Sequence, residues 1–278
     1  MKTAFEIKEE ESAASNTHLL FEVAQYGISV LKFRKDPLTI DAVSIYNFQE
    51  DEVGNTFIEK FQKVVTDNPV ENKNNVHIFY NFREALLIPS EFMQEDNAAT
   101  QLSLIYGILP DAETAYDEIT IDPGIGRENK IFCAFRTPRG VHAIAKQVTL
   151  NRPRHSTSEQ IKLTGANALR CTIFHNTIKI FLYSKDQLML VQHFGYRTPA
   201  DAAYHLLNVC DKHKFSPAEI DVYLDGLVDS DSGLYQEIYK YFLHVHFNVI
   251  ADDIHISSGI KEHPLHFITH LTELARCV

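Results

Sequence analysis

The sequence predicts an α/β protein of two duplicated lobes, each a mixed sheet with helices, facing one another across a cleft. Three observations carry this expectation. Residues 19–48 and 169–196 both read as three short strands joined by tight turns. Each meander is followed by an amphipathic helix and then by a further strongly apolar strand. No low-complexity tract interrupts the chain, and Thr137-Pro138-Arg139-Gly140 is the main internal punctuation. The expected domains are therefore 1–139 and 140–278. Antiparallel meanders at the start of each half fit two packed lobes better than one doubly wound sheet.

In the first half, a short strand is expected at Ala4–Ile7. Leu19, Phe21 and Val23 then alternate with Leu20, Glu22 and Ala24 as a half-buried strand should. Tyr26-Gly27 supplies a turn, Ile28–Phe33 the second strand, Lys35-Asp36-Pro37 another turn and Thr39–Phe48 the third strand. Gly54-Asn55-Thr56 opens a helix that gathers Phe57, Phe61, Val64 and Val65 on one face. Asp67–Asn75 reads as a polar loop, Val76–Asn81 as a central strand and Ala85–Ile88 as a short extended piece. Pro89-Ser90 begins a helical stretch, and Asp96-Asn97 is positioned to cap a helix carrying Leu102, Leu104 and Ile105. Strands at Glu118–Ile121 and Lys130–Phe135 complete the half. Between them, Gly124-Ile125-Gly126-Arg127 lacks the lysine and the strand–helix setting of a phosphate loop and reads as a hairpin turn.

Val141–Val148 continues as a helix, and Asn151–Gln160, being polar, reads as an exposed loop. After the second meander, Thr198-Pro199-Ala200-Asp201 places an N-cap, a proline at the first helical position and an acid in the first turn. That helix runs to about His213, burying Ala202, Leu206, Val209 and Cys210. Ile220–Leu224 is a buried strand, Asp225–Gly233 a polar loop, Leu234 to about Leu243 a helix and His244–Ile250 a strand. His263-Pro264 starts the last helix.

Composition narrows the function classes. A chain with 45% hydrophobic and 23% charged residues is ordinary globular material, and no apolar run approaches the roughly 18 residues that span a bilayer. The first residues hold no apolar core of signal-peptide length. Cys133, Cys171, Cys210 and Cys277 form no CxxC pair and read as buried free thiols of a cytoplasmic protein. The net charge of −11 is uneven: 13 basic against 23 acidic residues up to Arg139, 13 against 14 beyond it. An acidic lobe without a basic stripe argues against nucleic acid; it reads as a solvated surface tuned for solubility, with a basic protein partner as the sharper alternative.

Twelve of the 14 histidines lie at position 142 or later. His244 and His246 share a strand face. His263, His266 and His270 share one side of the last helix, opposite an apolar face of Pro264, Phe267, Ile268, Leu271 and Ala275, and read as an exposed, pH-sensitive polar surface. Their spacing would let a metal bridge only part of the trio, so no metal site is assigned, although a metal-dependent enzyme built on them is one alternative. Asp252-Asp253 beside His255 reads as a turn rather than an acid–base pair. No GxSxG motif is present.

Three segments, VQHFGYRTPADAAYHLLNVC, EIDVYLDGLVDSDSGLYQEIYKYF and HPLHFITHLTELARC, give the chain a wider likeness. It resembles the actin-like superfamily, whose members share duplicated ribonuclease-H-like lobes, and more narrowly an uncharacterised Bacteroidetes family with that fold. In active members of the superfamily, the turn between the first two strands of each lobe carries glycine for phosphate approach and an acid for magnesium. At the first turn here, Gly27 is in place but Gln25 stands where Asp is expected. The second turn reads Phe174-His175-Asn176-Thr177, with neither glycine nor carboxylate. The adenosine-contacting strand–loop–helix retains Gly226 but crowds Asp225, Asp229 and Asp231 together.

The resemblance thus marks Gln25, Gly27, His175, Asn176 and Gly226 as the remains of a nucleotide cleft. It implies no catalytic residue and no firm cofactor, ATP with magnesium being the candidate. The expected function is a cytoplasmic pseudoenzyme acting as a protein-binding or assembly module, an arrangement that leaves room for a homodimer. The alternative is an ATP-binding phosphotransferase or ATPase with unconventional loops.

Overall fold

The computed structural model describes residues 2–7, 16–48, 55–69, 71–94, 97–121, 129–161, 167–185 and 187–278. The chain divides into two units. Met1–Asp36, Asp41–Lys162 and Val278 form the first; Pro37–Ile40 and Leu163–Cys277 form the second.

In the first unit, β1 (Lys2–Ile7), β2 (Thr17–Ala24), β3 (Gly27–Arg34), β4 (Thr39–Asn47), β5 (Val76–Asn81) and β9 (Arg154–His155) lie side by side in the order β1-β4-β3-β2-β5-β9. β2 pairs antiparallel with β3 and parallel with β5. The expected meander is present because alternation puts Leu19, Phe21 and Val23 on one face, and burial then extends to Leu20 on the other. α1 (Asn55–Asp67) buries Phe57, Phe61 and Val64 as its periodicity predicts. Its Phe61 ring meets Phe21 edge-on, with centroids 6.4 Å apart.

β6 (Ala85–Pro89), β7 (Ala112–Ile121) and β8 (Asn129–Pro138) do not extend that sheet. They form their own antiparallel sheet, β6-β8-β7, covered by α2 (Ala98–Tyr106). Ala98, Leu102, Ile88 and Ala134 make its small core. Asn97 precedes α2 without a side-chain cap, its Oδ1 accepting instead from the Gln94 N–H at 3.1 Å. Gly54, Asp96 and the Gly124–Arg127 turn lie outside the described residues.

α3 (Arg139–Val148) groups with the first unit, one segment of which is Asp41–Lys162. The reason is packing: Val141, Ile144 and Ala145 are buried, and α3 lies so close to α1 that a Cβ at Gly140 would come within 2.4 Å of Ile58.

The polar stretch after α3 corrects the expectation of an exposed loop. It forms β9 and then α4 (Ser156–Gln160), in which all five residues are buried. Burial is tolerated because most of the polar groups find partners, Thr157 Oγ1 being left without a hydrogen bond. The Asp117 carboxylate accepts from the His155 backbone N–H at 2.7 Å and from Ser158 Oγ at 2.8 Å. His155 Nε2 meets the Phe82 carbonyl at 3.0 Å, and Arg154 pairs with Glu159. Burial pushes the Asp117 carboxyl up, while the two hydrogen bonds to it pull the other way.

The second unit repeats the strand order. β10 (Ala168–Ile173), β11 (Thr177–Ser184), β12 (Gln187–Gly195), β13 (Asp221–Gly226) and β14 (His244–Phe247) form a sheet β12-β11-β10-β13-β14. Its antiparallel meander and parallel fourth strand match β4-β3-β2-β5. α5 (Pro199–His213) and α6 (Gly233–Tyr239) bury Leu206, Val209, Cys210 and Ile238 against one face of that sheet. The capping box at the start of α5 forms as expected: Thr198 Oγ1 accepts from the Asp201 N–H at 3.2 Å and Asp201 Oδ2 from the Thr198 N–H at 2.8 Å. α6 ends at Tyr239 and β14 at Phe247, both shorter than expected.

β15 (His255–Ile256) runs parallel to Thr39–Ile40, the residues that group with this unit. α7 (Ser258–Lys261) follows, then a single 3₁₀ turn (Leu265–Phe267). The last α-helix, α8 (Thr269–Arg276), starts later than the His263-Pro264 signal suggests. Cys133, Cys171 and Cys210 are free and buried; Cys277 is free but exposed, against expectation.

Candidate functional site

The residues marked in the sequence fall into two groups. In the first unit, the β2–β3 turn is tight: Ala24 pairs with Gly27, leaving only Gln25 and Tyr26 between the strands. Gln25 Nε2 donates to Tyr26 Oη at 3.0 Å, and the Tyr26 carbonyl accepts from the Phe48 N–H at 2.8 Å. Gly27 is needed for space rather than for an unusual backbone conformation, since a Cβ there would lie 3.0 Å from the Tyr46 carbonyl oxygen.

In the second unit, the turn between β10 and β11 is closed by its own bonds. The Phe174 N–H donates to the Thr177 carbonyl at 2.8 Å, Tyr196 Oη to the Phe174 carbonyl at 2.7 Å and the Tyr196 N–H to the Asn176 carbonyl at 2.9 Å. His175 stands exposed at its tip. The end of β13 lies against the end of β10: Ile173 pairs with Gly226, and the Leu227 N–H donates to the Ile173 carbonyl at 2.7 Å. Gly226 has φ of 80°, and a Cβ there would sit 2.2 Å from the Ile173 oxygen. Glycine is obligatory here for close packing.

Two of the loop acids separate in role. Asp225, next to last in β13, has 3% of its surface exposed and accepts from Asn248 Nδ2 at 2.6 Å. Asp229 shapes the turn before α6: its carboxylate accepts from the Ser230 N–H, and its carbonyl from Ser232 Oγ at 2.6 Å. Ser232 caps α6 through the Tyr235 N–H at 3.1 Å.

α8 overturns the expected exposed histidine face. His270 is buried, with Nδ1 4.0 Å from Asp225 Oδ1 and its ring edge-on to Phe174 at 5.6 Å between centroids. One turn later, Glu273 accepts from Arg170 Nη2 at 2.7 Å. Burial pushes the Glu273 carboxyl up, and the Arg170 guanidinium pulls it back. His266, in the 3₁₀ turn, meets the Val228 carbonyl at 2.7 Å and stacks on Phe247 at 4.0 Å, while His263 is exposed. The trio is thus not one ligand set, and among the described residues no three His, Cys, Asp or Glu side chains are grouped to hold a metal. His244 and His246 are exposed on β14, His246 facing Asp221 at 3.2 Å.

Sequence reasoning missed this charged layer beneath α8. Its signal lay in the strands: Arg170, Thr172 and Asp225 alternate with Leu169, Cys171, Ile173 and Leu224, and register places Thr172 beside Asp225. The sheet's second face is polar and covered, not polar and wet.

The strand order, repeated with the same sense of pairing, now meets its counterparts among known structures. A Bacteroides thetaiotaomicron VPI-5482 protein described as having an actin-like ATPase fold and unknown function superposes with a TM-score of 0.71 and 15% identity, covering 95% of this chain and 96% of that one. This chain has the actin-like ATPase fold. A chain of the PilM–PilN type IV pilus biogenesis complex superposes with a TM-score of 0.59 and 9% identity, covering 95% and 98% respectively. A family model described as protein of unknown function (DUF3822) matches residues 155–245, from the buried start of α4 to β14. No curated protein sequence matches the chain significantly. Among the described residues, no helix is long and apolar enough to cross a membrane.

Proposed function

We propose that this chain is a non-catalytic protein of actin-like ATPase fold that works by binding another protein. One observation carries the reading: the second phosphate turn and the β13 loop are occupied by internal bonds. Actin-like nucleotide sites offer backbone N–H groups to phosphate. Here the Phe174 and Leu227 N–H groups are spent on the Thr177 and Ile173 carbonyls. The retained glycine, Gly226, is used to pack against Ile173, and the adjacent carboxylate of Asp225 is an unfavourable neighbour for phosphate. The likeness to a chain of a pilus biogenesis complex supports an assembly role, since that protein is named as part of a protein–protein complex.

Calorimetric titration of the full chain with ATP and magnesium tests the reading, together with phosphate release. The expected result is no saturable binding and no turnover. Micromolar binding with turnover lost in Gly27→Ala or His175→Ala would overturn it in favour of an ATPase or phosphotransferase with unconventional loops.

A further inference from the structure

We infer that the C-terminal end of α2 and the loop behind it form a docking surface for a cationic amphipathic helix of another protein. This rests on the protein-binding reading and names the surface and the chemistry of the partner.

α2 is amphipathic in an unusual sense. It buries Ala98 and Leu102 in the small core over β6-β8-β7, yet Leu104 is 79% exposed, Ile108 is 86% exposed, and Ile105 and Leu109 are also exposed. Phe92 extends this surface: its carbonyl accepts from Gln101 Nε2 at 2.8 Å, and Gln101 lies three and four residues before Leu104 and Ile105, on the same side of the helix. Five exposed large apolar side chains on α2 and its flanking segments are unfavourable in water and mark an interaction site.

The patch is held in place by buried polar anchors. Arg136, paired with Glu84 at 2.8 Å, donates through Nη1 to the Gly107 carbonyl at 2.8 Å. The Gly107 N–H closes the helix on the Ser103 carbonyl at 2.9 Å, and Tyr106 Oη reaches the Ala85 carbonyl at 2.9 Å. Ile108 and Leu109 therefore project from a fixed loop. Ordering them on binding costs little entropy.

Charge selects the occupant. The segment 91–113 has five acids and no Lys or Arg in sequence; among the described residues Glu91 and Asp111 are exposed, while Glu113 lies 3.9 Å from Arg139. A second copy of the chain would bring the exposed Glu91 and Asp111 against their own counterparts in a two-fold contact. An anionic lipid surface would be repelled in the same way. A helix with an apolar stripe bordered by Lys or Arg satisfies the patch and its acids together.

The test uses the full chain and two designed helical peptides with the same leucine stripe, one bordered by Lys and the other by Glu, read by fluorescence anisotropy. The Leu/Lys peptide should bind saturably, and the Leu/Glu peptide about ten-fold or more weaker. Leu104→Ser/Ile108→Ser should weaken the Leu/Lys peptide about ten-fold, and Glu91→Lys/Asp111→Lys should weaken it several-fold while preserving the fold. Equal binding of the two peptides, no saturable binding, or no loss in Leu104→Ser/Ile108→Ser overturns the proposal. So does a wild-type dimer in sedimentation that the serine variant abolishes, or binding to anionic vesicles through the same residues. The ATP titration on the same preparation fails or succeeds independently, so nucleotide turnover would sink the non-catalytic reading without touching the peptide result.

Discussion

Two short helices of this protein treat their surroundings in opposite ways. α8 buries six of its eight residues and sets His270 and Glu273 against Asp225 and Arg170 of the underlying strands. α2 buries two of its nine and leaves Leu104 and Ile105 in water. Burial of charge beneath α8 is tolerated because each group has a counterpart, and such pairs fix one arrangement more than they add stability. Exposure of leucine and isoleucine on α2 has no internal counterpart, which is why the missing contact is assigned to another molecule. The contrast separates a region committed to its own fold from one held ready for a partner.

The two glycines with positive φ among the described residues sharpen that contrast most. Gly226, at 80°, leaves no room for a Cβ beside Ile173, whereas Gly107, at 79°, has nothing within 4 Å of that position. Gly226→Ala should cost about 4 kcal/mol, combining the clash with left-handed strain, and should reduce soluble yield. Urea unfolding checks this. A cost below about 1 kcal/mol would mean that the β10–β13 junction is looser than its 2.7 Å Leu227–Ile173 hydrogen bond indicates.

Next in size is Leu102→Ala, which removes a fully buried side chain from the small α2 core and should cost about 3 kcal/mol. Glu273→Gln keeps the shape of α8 but leaves Arg170 facing a neutral amide, for about 1–2 kcal/mol, since both side chains keep roughly a fifth of their surface in contact with water. If Glu273→Gln is neutral while Leu102→Ala is costly, apolar packing rather than the charged layer positions α8.

These differences also explain what the sequence revealed and what it hid. The meanders were readable because alternation in Leu19–Val23 and Leu169–Ile173 needs only the period of a strand. The start of α5 was readable because Thr198, Pro199 and Asp201 act within one turn. The buried stretch at 155–160 was not, since whether Ser156 and Ser158 face water depends on Asp117, about forty residues away. The same holds for His270, whose burial depends on Asp225 and Phe174 rather than on its own helix. At the candidate nucleotide site, the loss of acid and glycine could be read at Gln25 and Phe174–Thr177, but the packing role of Gly226 needed the distance to Ile173.

The smallest expected effects fall on α2. Gly107→Ala carries only the cost of a left-handed alanine, about 1 kcal/mol, because the space around it is open. Leu104→Ala should change stability by less than about 0.5 kcal/mol, since a side chain 79% exposed has little burial to lose. Two residues away on the same helix, Leu102→Ala removes the same atoms at a cost several times larger. Thermal and urea unfolding of the pair measures that ratio directly. Equal destabilisation by the two variants would show that Leu104 is packed in the free protein, and the apolar end of α2 would then belong to its own fold rather than to a partner.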